Sequence, residues 1–298
     1  MLARLQQLVT LSLLVAASCW LAAWWDNSAL VALSGFVLIA LGYSLFLALE
    51  FLALHSLNRG DPAGPACWGD LVRAWWGETR TAPRVFCWRQ PFRSRAAPDF
   101  MPKNGRRGVV FVHGFICNRG FWTPWMKQLR AQNHAYVAVD LEPVFGRIDD
   151  YVPIIEAAVQ RVNEATGLPP VLVCHSMGGL AARAWLRHVA NEGRVYRIVT
   201  IGTPHFGTWL GRFSPAINGA QMQRASAWLQ QLGSDEPASR YALFTCWLSN
   251  CDNIVFPAST AALPGADNCF VGGTGHVSLA FHPGVMAATM ALICAERC

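Results

Sequence analysis

The chain has 298 residues, of which 53% are hydrophobic and only 14% are charged, and its 24 basic and 18 acidic residues give a net charge of +6. This composition is too apolar for a disordered protein and high for a soluble domain, so it indicates a part that lies in a membrane. The sequence has no Lys-rich run and no interleaved basic and aromatic residues. We therefore expect no nucleic-acid partner, and the basic excess fits a mild attraction to anionic lipid.

Two uncharged apolar runs open the chain, at about residues 8–25 and 29–49. Each is about long enough to cross a hydrocarbon core as a helix, which needs roughly 20 residues. Polar residues 26–28 separate the runs, and three tryptophans stand at that end of the first one, where amphipathic rings favour the membrane interface. We predict a two-helix membrane hairpin over residues 1–56; the alternative is a cleaved signal peptide followed by one anchor.

The basic residues near these runs predict an orientation. Arg4 precedes the first run, Arg59 and Arg73 follow the second, and the turn between the runs has none. This bias favours both chain ends in the cytoplasm, with the hairpin tip outside. The 10 cysteines are irregularly spaced and form no CxxC pair. A cytoplasmic domain would keep them as thiols, whereas a periplasmic one could pair Cys246 or Cys251 with Cys269.

Residues 57–107 are rich in Gly, Pro, Arg and Trp, and we predict a juxtamembrane connector there with one early strand near residues 84–88. From residue 108 the pattern becomes regular, and short apolar runs alternate with segments of helical spacing. The predicted strands are 108–113, 135–139, 171–174, 195–201 and the strand-like 241–248; the predicted helices are 121–132, 149–164 and 178–190.

This alternation predicts an α/β fold with a mostly parallel central sheet and helices on both of its faces. In such sheets, ligands bind beyond the carboxyl ends of the strands. His113, Asp140, Ser176 and Thr203 all come near predicted strand ends. We therefore expect a functional site along that edge.

Ser176 stands between a predicted strand and a predicted helix, in the sequence Cys174-His-Ser-Met-Gly-Gly179. A serine at this position could be an ordinary helix N-cap. A nucleophile at a sharp strand-to-helix turn needs small residues two positions away on each side, because its backbone is strained. Gly178 meets this need and Cys174 meets it less well. The pattern favours a nucleophile over a cap.

Three motifs carry a resemblance to a known family. Val110-Phe-Val-His-Gly-Phe115, Cys174-His-Ser-Met-Gly-Gly179 and Ile201-Gly-Thr-Pro-His-Phe-Gly207 occur in one order and at plausible intervals. They resemble the α/β-hydrolase fold, in particular bacterial lipases and esterases of that fold. The resemblance covers about residues 108–292 and implies a catalytic domain over 108–298. Cys174 is a departure, since Gly often stands at that position in the family.

A serine nucleophile needs a base, and the resemblance implies the chain order serine, acid, histidine. His276 in a Gly-rich loop is the best base, with a solvated loop histidine as the alternative. His282 is too far along and fits a helix start. His175 adjoins Ser176 and should point away from it, whereas His205 is expected to line the mouth of the site.

Asp252 is the preferred acid, because it follows the strand-like residues 241–248 and precedes apolar residues and a proline, as in the acid loop of the resembled enzymes. Asp267 is the rival, Asp235 comes too early, and a surface-loop aspartate is the alternative. The acid would fix the tautomer of the imidazole. The resemblance also implies an oxyanion hole made by the backbone N–H groups of Phe115 and Met177.

Residues 206–240 supply apolar side chains where related enzymes insert a lid, with a plain excursion packed on the core as the alternative. Many of the bacterial lipases that the chain resembles carry a calcium site near the acid and histidine loops, but here no carboxylate follows His276 closely. The Cys and His residues also lack zinc spacing, so we expect no metal and no cofactor. The main hypothesis is a serine hydrolase that is anchored in a bacterial inner membrane and cleaves carboxylic esters, with an ester or lipid as its substrate. The alternatives are an acyltransferase on the same fold and a catalytically inactive membrane-binding module. A transporter component has little support, because the two predicted helices have no buried charge other than Glu50, near a helix end. Oligomeric state stays open.

Overall fold

At the centre of the molecule lies one sheet of six parallel strands, in a computed structural model that describes residues 1–295. The strands follow the spatial order β2-β1-β3-β4-β5-β6, and each neighbouring pair is parallel. The parallel sheet predicted from the sequence is confirmed, and residues 241–248 contain β5. The strands are β1 Val109–Val112, β2 Tyr136–Ala138, β3 Val171–His175, β4 Arg197–Ile201, β5 Phe244–Leu248 and β6 Asp267–Phe270.

Helices precede the sheet and connect its strands. α6, α7 and α8 correspond to the three predicted helices. The α-helices of the described residues are α1 Leu2–Trp24, α2 Ala29–Leu41, α3 Tyr43–Leu57, α4 Trp68–Pro83, α5 Gln90–Arg93, α6 Thr123–Ala131, α7 Val152–Thr166, α8 Met177–Val189, α9 Ile217–Gln221, α10 Ala227–Ser234, α11 His276–Leu279 and α12 Pro283–Cys294.

The side chains of the strands alternate between two buried cores, one on each face of the sheet. Val110 and Leu172 belong to the core that includes residues of α7 and α8. Phe111 and Val173, their neighbours in the chain, belong to the core that includes residues of α6 and α12. Helices therefore cover both faces, which explains why the strands are apolar at successive positions.

The strand predicted near residues 84–88 is wrong, because Arg84–Arg89 is a π-helical turn that continues from α4 into α5. Val85 and Gln90 are buried on one side while Trp88 is exposed, a helical rather than an alternating pattern. A short apolar run cannot by itself distinguish the two structures. Before β1, the extended contact with the sheet is a single antiparallel bridge between Phe100 and Tyr136 of β2.

The helix predicted in the first apolar run is present as the single helix α1, which is long and apolar enough to cross a membrane. The second, predicted as one helix over residues 29–49, is instead the pair α2 and α3, which meet at a bend of 54°. After the bend, α3 packs along α4: the Tyr43 hydroxyl donates to the Thr79 carbonyl, and the Trp75 indole donates to the Ser44 carbonyl at 2.8 Å. These contacts explain why the helix turns at Gly42.

By length and composition, the second continuous apolar segment that could cross a membrane is His276–Cys294, at the C-terminal end rather than before the domain. However, Val277, Leu279, Val285 and Ile293 of this segment are buried in the core that covers one face of the sheet. The packing therefore makes this segment part of the sheet region.

α3 and α4 also pack against the sheet region. Phe51 and Leu54 of α3 and Leu71 of α4 share a buried cluster with Cys251 and Phe256. This cluster adjoins the loop that leaves the carboxyl end of β5. The helices before the sheet therefore reach the edge where the sequence predicts a functional site.

Candidate active site

Ser176 lies at a sharp turn between the end of β3 and the start of α8. Its backbone has φ 55° and ψ −128°, a conformation that costs a non-glycine residue about 1–3 kcal/mol. Three hydrogen bonds hold it there: its N–H donates to Ile201 O at 2.9 Å, and its carbonyl accepts from the Thr203 hydroxyl at 2.9 Å and from the Gly179 N–H at 3.0 Å. Although Ser176 occupies the N-cap position, its side chain makes no capping hydrogen bond.

The small residues around Ser176 are required by close contacts. A Cβ at Gly178 would overlap the carbonyl oxygens of Val112 and His113, and a Cβ at Gly114 would lie 2.8 Å from the Cβ of Ser176. Cys174, the departure from the family pattern, is fully buried in β3 and fits without disturbing the turn. The glycines therefore bring the loop after β1 directly against the serine turn.

His276 and Asp252 form a buried pair. The His276 Nδ1–H donates to Asp252 Oδ2 at 2.8 Å. Asp252 Oδ1 accepts the N–H groups of Ile254 at 3.0 Å and Val255 at 2.7 Å, so both carboxylate oxygens are fixed. Burial favours the neutral imidazole, but the charge of Asp252 and its hydrogen bond outweigh burial and raise the pKa of His276.

The rival acids lie elsewhere. Asp267 is exposed in β6 and contacts the Thr245 hydroxyl, and Asp235 pairs with Arg187 at 3.2 Å. Of the candidate acids, only Asp252 contacts His276.

The other candidate histidines have different positions. His175 stacks on Phe121 with 4.4 Å between ring centroids, and its Nε2–H donates to the His276 carbonyl at 3.3 Å. His282 precedes α12, in agreement with the expected helix start. The expectation that His205 lines the mouth is wrong, because it is buried against Thr200 and Cys246. His276 alone among them contacts the acid.

The serine turn and the buried pair meet at the end of β4. Ser176 bonds to Ile201, the last residue of β4, and the next residue is Gly202, with φ +57°. A Cβ at Gly202 would lie 2.8 Å from Asp252 Oδ2 and 3.1 Å from His276 Nδ1. Within residues 1–295 no hydrogen bond joins the Ser176 hydroxyl to His276. Such bonds often tighten only when substrate binds.

The predicted oxyanion donors flank the serine. Met177 supplies the first N–H of α8, and Phe115 lies in the loop after β1. In the described chain neither N–H donates to another protein group. His113 holds this loop, because its Nδ1–H donates to Gly114 O at 2.9 Å while Nε2 accepts the Leu141 N–H at 3.0 Å. Burial lowers the pKa of His113, in keeping with this neutral tautomer.

The segment predicted as a lid is packed on the protein. Met222, Leu229 and Leu232 are buried in the core beside α7 and α8. At its end, Glu236 forms a buried ion pair with Arg183 of α8, with Arg183 Nε 3.1 Å from Glu236 Oε2. This packing supports the alternative of an excursion anchored on the core.

Sequence reasoning missed three polar residues behind His276. Asn253 accepts the His276 backbone N–H at 3.2 Å, Glu50 binds Asn253, and Glu78 binds the backbone of Ser278. Burial raises the pKa of Glu78 to about 7. The available signals were the position of Asn253 beside the acid and a lone carboxylate, Glu50, at the end of an apolar run.

The chain is similar to known proteins in one sequence family and in fold. The model of the Alpha/beta hydrolase family matches residues 109–261. No curated protein sequence matches the chain.

Solved structures resemble the chain in fold. The mature form of Bacillus licheniformis lipase BlEst2 is 19% identical, with a TM-score of 0.57, and the match covers 66% of this chain and 96% of that one. Aspergillus fumigatus lipase B is 18% identical, with a TM-score of 0.59, and the match covers 68% of this chain and 57% of that one. At such identities the likeness concerns the fold.

Proposed function

The chain belongs to the alpha/beta hydrolase family, and from this premise we propose that it is a membrane-anchored serine hydrolase that cleaves carboxylic esters. The observation that carries the proposal is the buried Asp252–His276 pair beside the strained turn at Ser176, all at one edge of the sheet. The lipases among the structures of similar fold support an ester substrate.

In the proposed reaction, Ser176 Oγ attacks the ester carbonyl carbon and its proton passes to His276 Nε2. Asp252 holds the imidazole by its Nδ1–H and stabilises the imidazolium. The oxyanion of the tetrahedral intermediate accepts the N–H groups of Phe115 and Met177, and such a donor typically contributes about 3–4 kcal/mol to transition-state stabilisation.

The intermediate collapses when His276 returns the proton to the leaving alkoxide, which departs as an alcohol. The acyl group then remains on Ser176. Water attacks the acyl-enzyme while His276 removes its proton, and the carboxylic acid leaves as the serine regains its hydrogen. No step requires a group beyond the chain, the ester and water.

A panel of p-nitrophenyl esters, from short to long acyl chains, tests this proposal on the full chain and on His276→Ala. We expect hydrolysis by the wild type and its near loss in the variant, because the serine would lack its base. Equal activity in both, or none in either, would contradict the triad. Product analysis with an added alcohol separates hydrolysis from acyl transfer.

We also propose that the N-terminal helices anchor the enzyme, with both chain ends on the cytoplasmic side. The first turns of α1 support this, since Gln7 Nε2 donates to Pro91 O at 2.6 Å and so keeps that end beside the catalytic region. A membrane-impermeant maleimide on intact cells should label Asn27→Cys at the hairpin tip. The native exposed Cys67 and Cys87 should react only after permeabilisation; their reaction in intact cells would reverse the orientation.

A further inference from the structure

Glu50 reaches the acid and histidine loops from α3, a helix that precedes the sheet. Its Oε2 accepts a hydrogen bond from Asn253 Nδ2 at 2.6 Å. The other end of the same amide, Asn253 Oδ1, accepts the backbone N–H of His276 at 3.2 Å. Glu50, Asn253 and His276 are all buried. The Asn253 side chain therefore links the acid loop to the backbone of the proposed base, His276. Glu50 fixes the orientation of this side chain.

Glu78 reaches the histidine loop from α4. Its Oε1 accepts the Ser278 N–H at 2.7 Å, and only 1% of Glu78 is exposed. Gly275, immediately before His276, makes this approach possible, because a Cβ there would lie 2.7 Å from Glu78 Oε1. The first N–H groups of a helix have no partner within the helix. Asn253 and Glu78 supply partners to two such groups in α11, the short helix that begins at His276.

Neither carboxylate is neutralised by a basic side chain among residues 1–295, as neither forms a salt bridge with Lys or Arg. Burying an unpaired carboxylate costs free energy. The carboxylates are explained if the loops need a hydrogen-bond acceptor at Asn253 and at the Ser278 N–H.

The segment that connects α3 to α4 contacts the acid loop on both sides of Asp252. Asn58 Nδ2, just after α3, donates to Asn250 O at 3.2 Å. Asp61 accepts the Ser259 N–H at 3.2 Å. These contacts fix the position of α3 and α4 relative to the acid loop at several points. Glu50 and Glu78 are therefore held in place by the helices that carry them.

We propose that Glu50 and Glu78 are positioning residues, which hold the His276 ring against Asp252 and toward Ser176 by fixing the backbone of the histidine loop. This inference rests on the proposed function. A buried pair is productive only when its geometry is kept, and a displacement of about 1 Å can lower a rate by 10²-fold. The helices before the sheet are then part of the working site.

The charges around His276 provide a readout that a purely structural role would not move. Asp252, Glu78 and Glu50 face the ring and each raises the pKa of His276, whereas burial lowers it. The ring of His175 packs against it at 4.6 Å between centroids, with His113 beyond, and burial lowers the pKa of both of these histidines. Because the base works as neutral imidazole, removing a carboxylate should move the acidic limb of the rate profile to lower pH.

The test uses the full chain in detergent with Glu50→Ala, Glu50→Gln, Glu78→Ala and Glu78→Gln. We expect each alanine variant to lose kcat by roughly 10- to 100-fold with little change in KM. The glutamine variants should stay close to wild-type kcat, since the amide oxygen still accepts the hydrogen bond, but their acidic limb should shift to lower pH. Glu156→Ala is the control for losing a carboxylate away from the triad: Glu156 accepts the Trp185 indole N–H at 2.8 Å, pairs with Arg194 at 2.6 Å and contacts no triad residue.

Alanine variants that are folded and keep the wild-type kcat and acidic limb would overturn the inference. Hydrogen exchange at the His276 and Ser278 amides gives a second decision that needs no activity. Faster exchange in the alanine variants than in Glu156→Ala supports the inference, and equal exchange overturns it. A wild-type chain that cleaves no ester would instead contradict the proposed function, and the exchange measurement would still decide the role of the glutamates.

Discussion

The sheet region, residues 109–294, and the N-terminal helices, residues 2–93, contribute to the same site in different ways. The sheet region carries the proposed triad: Ser176 follows β3, Asp252 lies in the loop after β5 and His276 begins α11. The helices supply carboxylates that touch only the loops carrying those groups. The carboxyl ends of parallel strands therefore indicate where a site forms. The stiffness of their loops depends on whatever packs behind them.

A large effect on the rate should follow from changing the acid in the sheet region. Asp252→Asn should lower kcat about 10⁴-fold, since the amide can present its N–H to His276 Nδ1 and favour the wrong tautomer. Asp267→Asn is the control, because that side chain is exposed and contacts Thr245. Initial rates on a p-nitrophenyl ester measure both. If Asp267→Asn lost as much activity as Asp252→Asn, the assignment of Asp252 as the acid would be wrong.

A smaller effect, on stability, tests whether residues 206–240 belong to the rigid sheet region. Arg183→Met removes the basic partner of buried Glu236 and should destabilise the fold by about 3–5 kcal/mol. Arg187→Met should cost about 1 kcal/mol or less, because the ion pairs of Arg187 are partly exposed. Urea unfolding measures both. Equal losses would mean that the segment is not anchored through Glu236.

The helices can be tested through the pH dependence of stability. The pKa of Glu78 is about 7 in the folded chain, against an ordinary value of 4.5, because burial disfavours its charge. The folded state therefore keeps a proton that the unfolded state releases, and stability is lost as the pH rises from about 4.5 through about 7.

Glu78→Gln removes this loss. At pH 8 we expect the variant to be more stable than the wild type by up to about 3 kcal/mol, and at pH 4 to be about equal. Thermal unfolding across this range measures the difference, and the control Glu156→Gln should show no such gain. A constant difference at all pH values would exclude a buried ionisable Glu78.

The smallest effect on stability is expected for two serines at helix starts. Ser226 caps α10, since its hydroxyl accepts the Leu229 N–H at 3.2 Å, whereas Ser176 makes no capping bond. Ser226→Ala should cost about 1 kcal/mol of stability and leave activity unchanged. Ser176→Ala should abolish activity with a smaller loss of stability. Thermal unfolding of both variants decides the matter, and an equal loss would assign Ser176 to capping.

Sequence reasoning could predict the sheet, the edge and the serine turn because their signals are local. Apolar runs mark β1 to β4, and Gly178 and Gly179 mark the turn after Ser176. His276 could be selected by its Gly-rich loop. These features depend on residues that are close together in the chain, so they can be predicted from a single sequence.

The supporting contacts could not be predicted, because their partners are far apart in the chain. Glu50 and Asn253 are separated by 203 positions, and Glu78 and Ser278 by 200. The bend at Gly42 likewise depends on α4 packing beside α3. The sequence shows Glu50 only as a carboxylate at the end of an apolar helix. Its contact with the loops that carry Asp252 and His276 arises from tertiary packing.

A fluorophosphonate probe, with the labelled residue identified by mass spectrometry, tests most directly whether the end of β3 presents an activated serine. We predict labelling at Ser176 in the wild type, no labelling in Ser176→Ala, and much slower labelling in His276→Ala. Labelling at another residue, or at equal rates with and without His276, would show that Ser176 is not a nucleophile activated by His276.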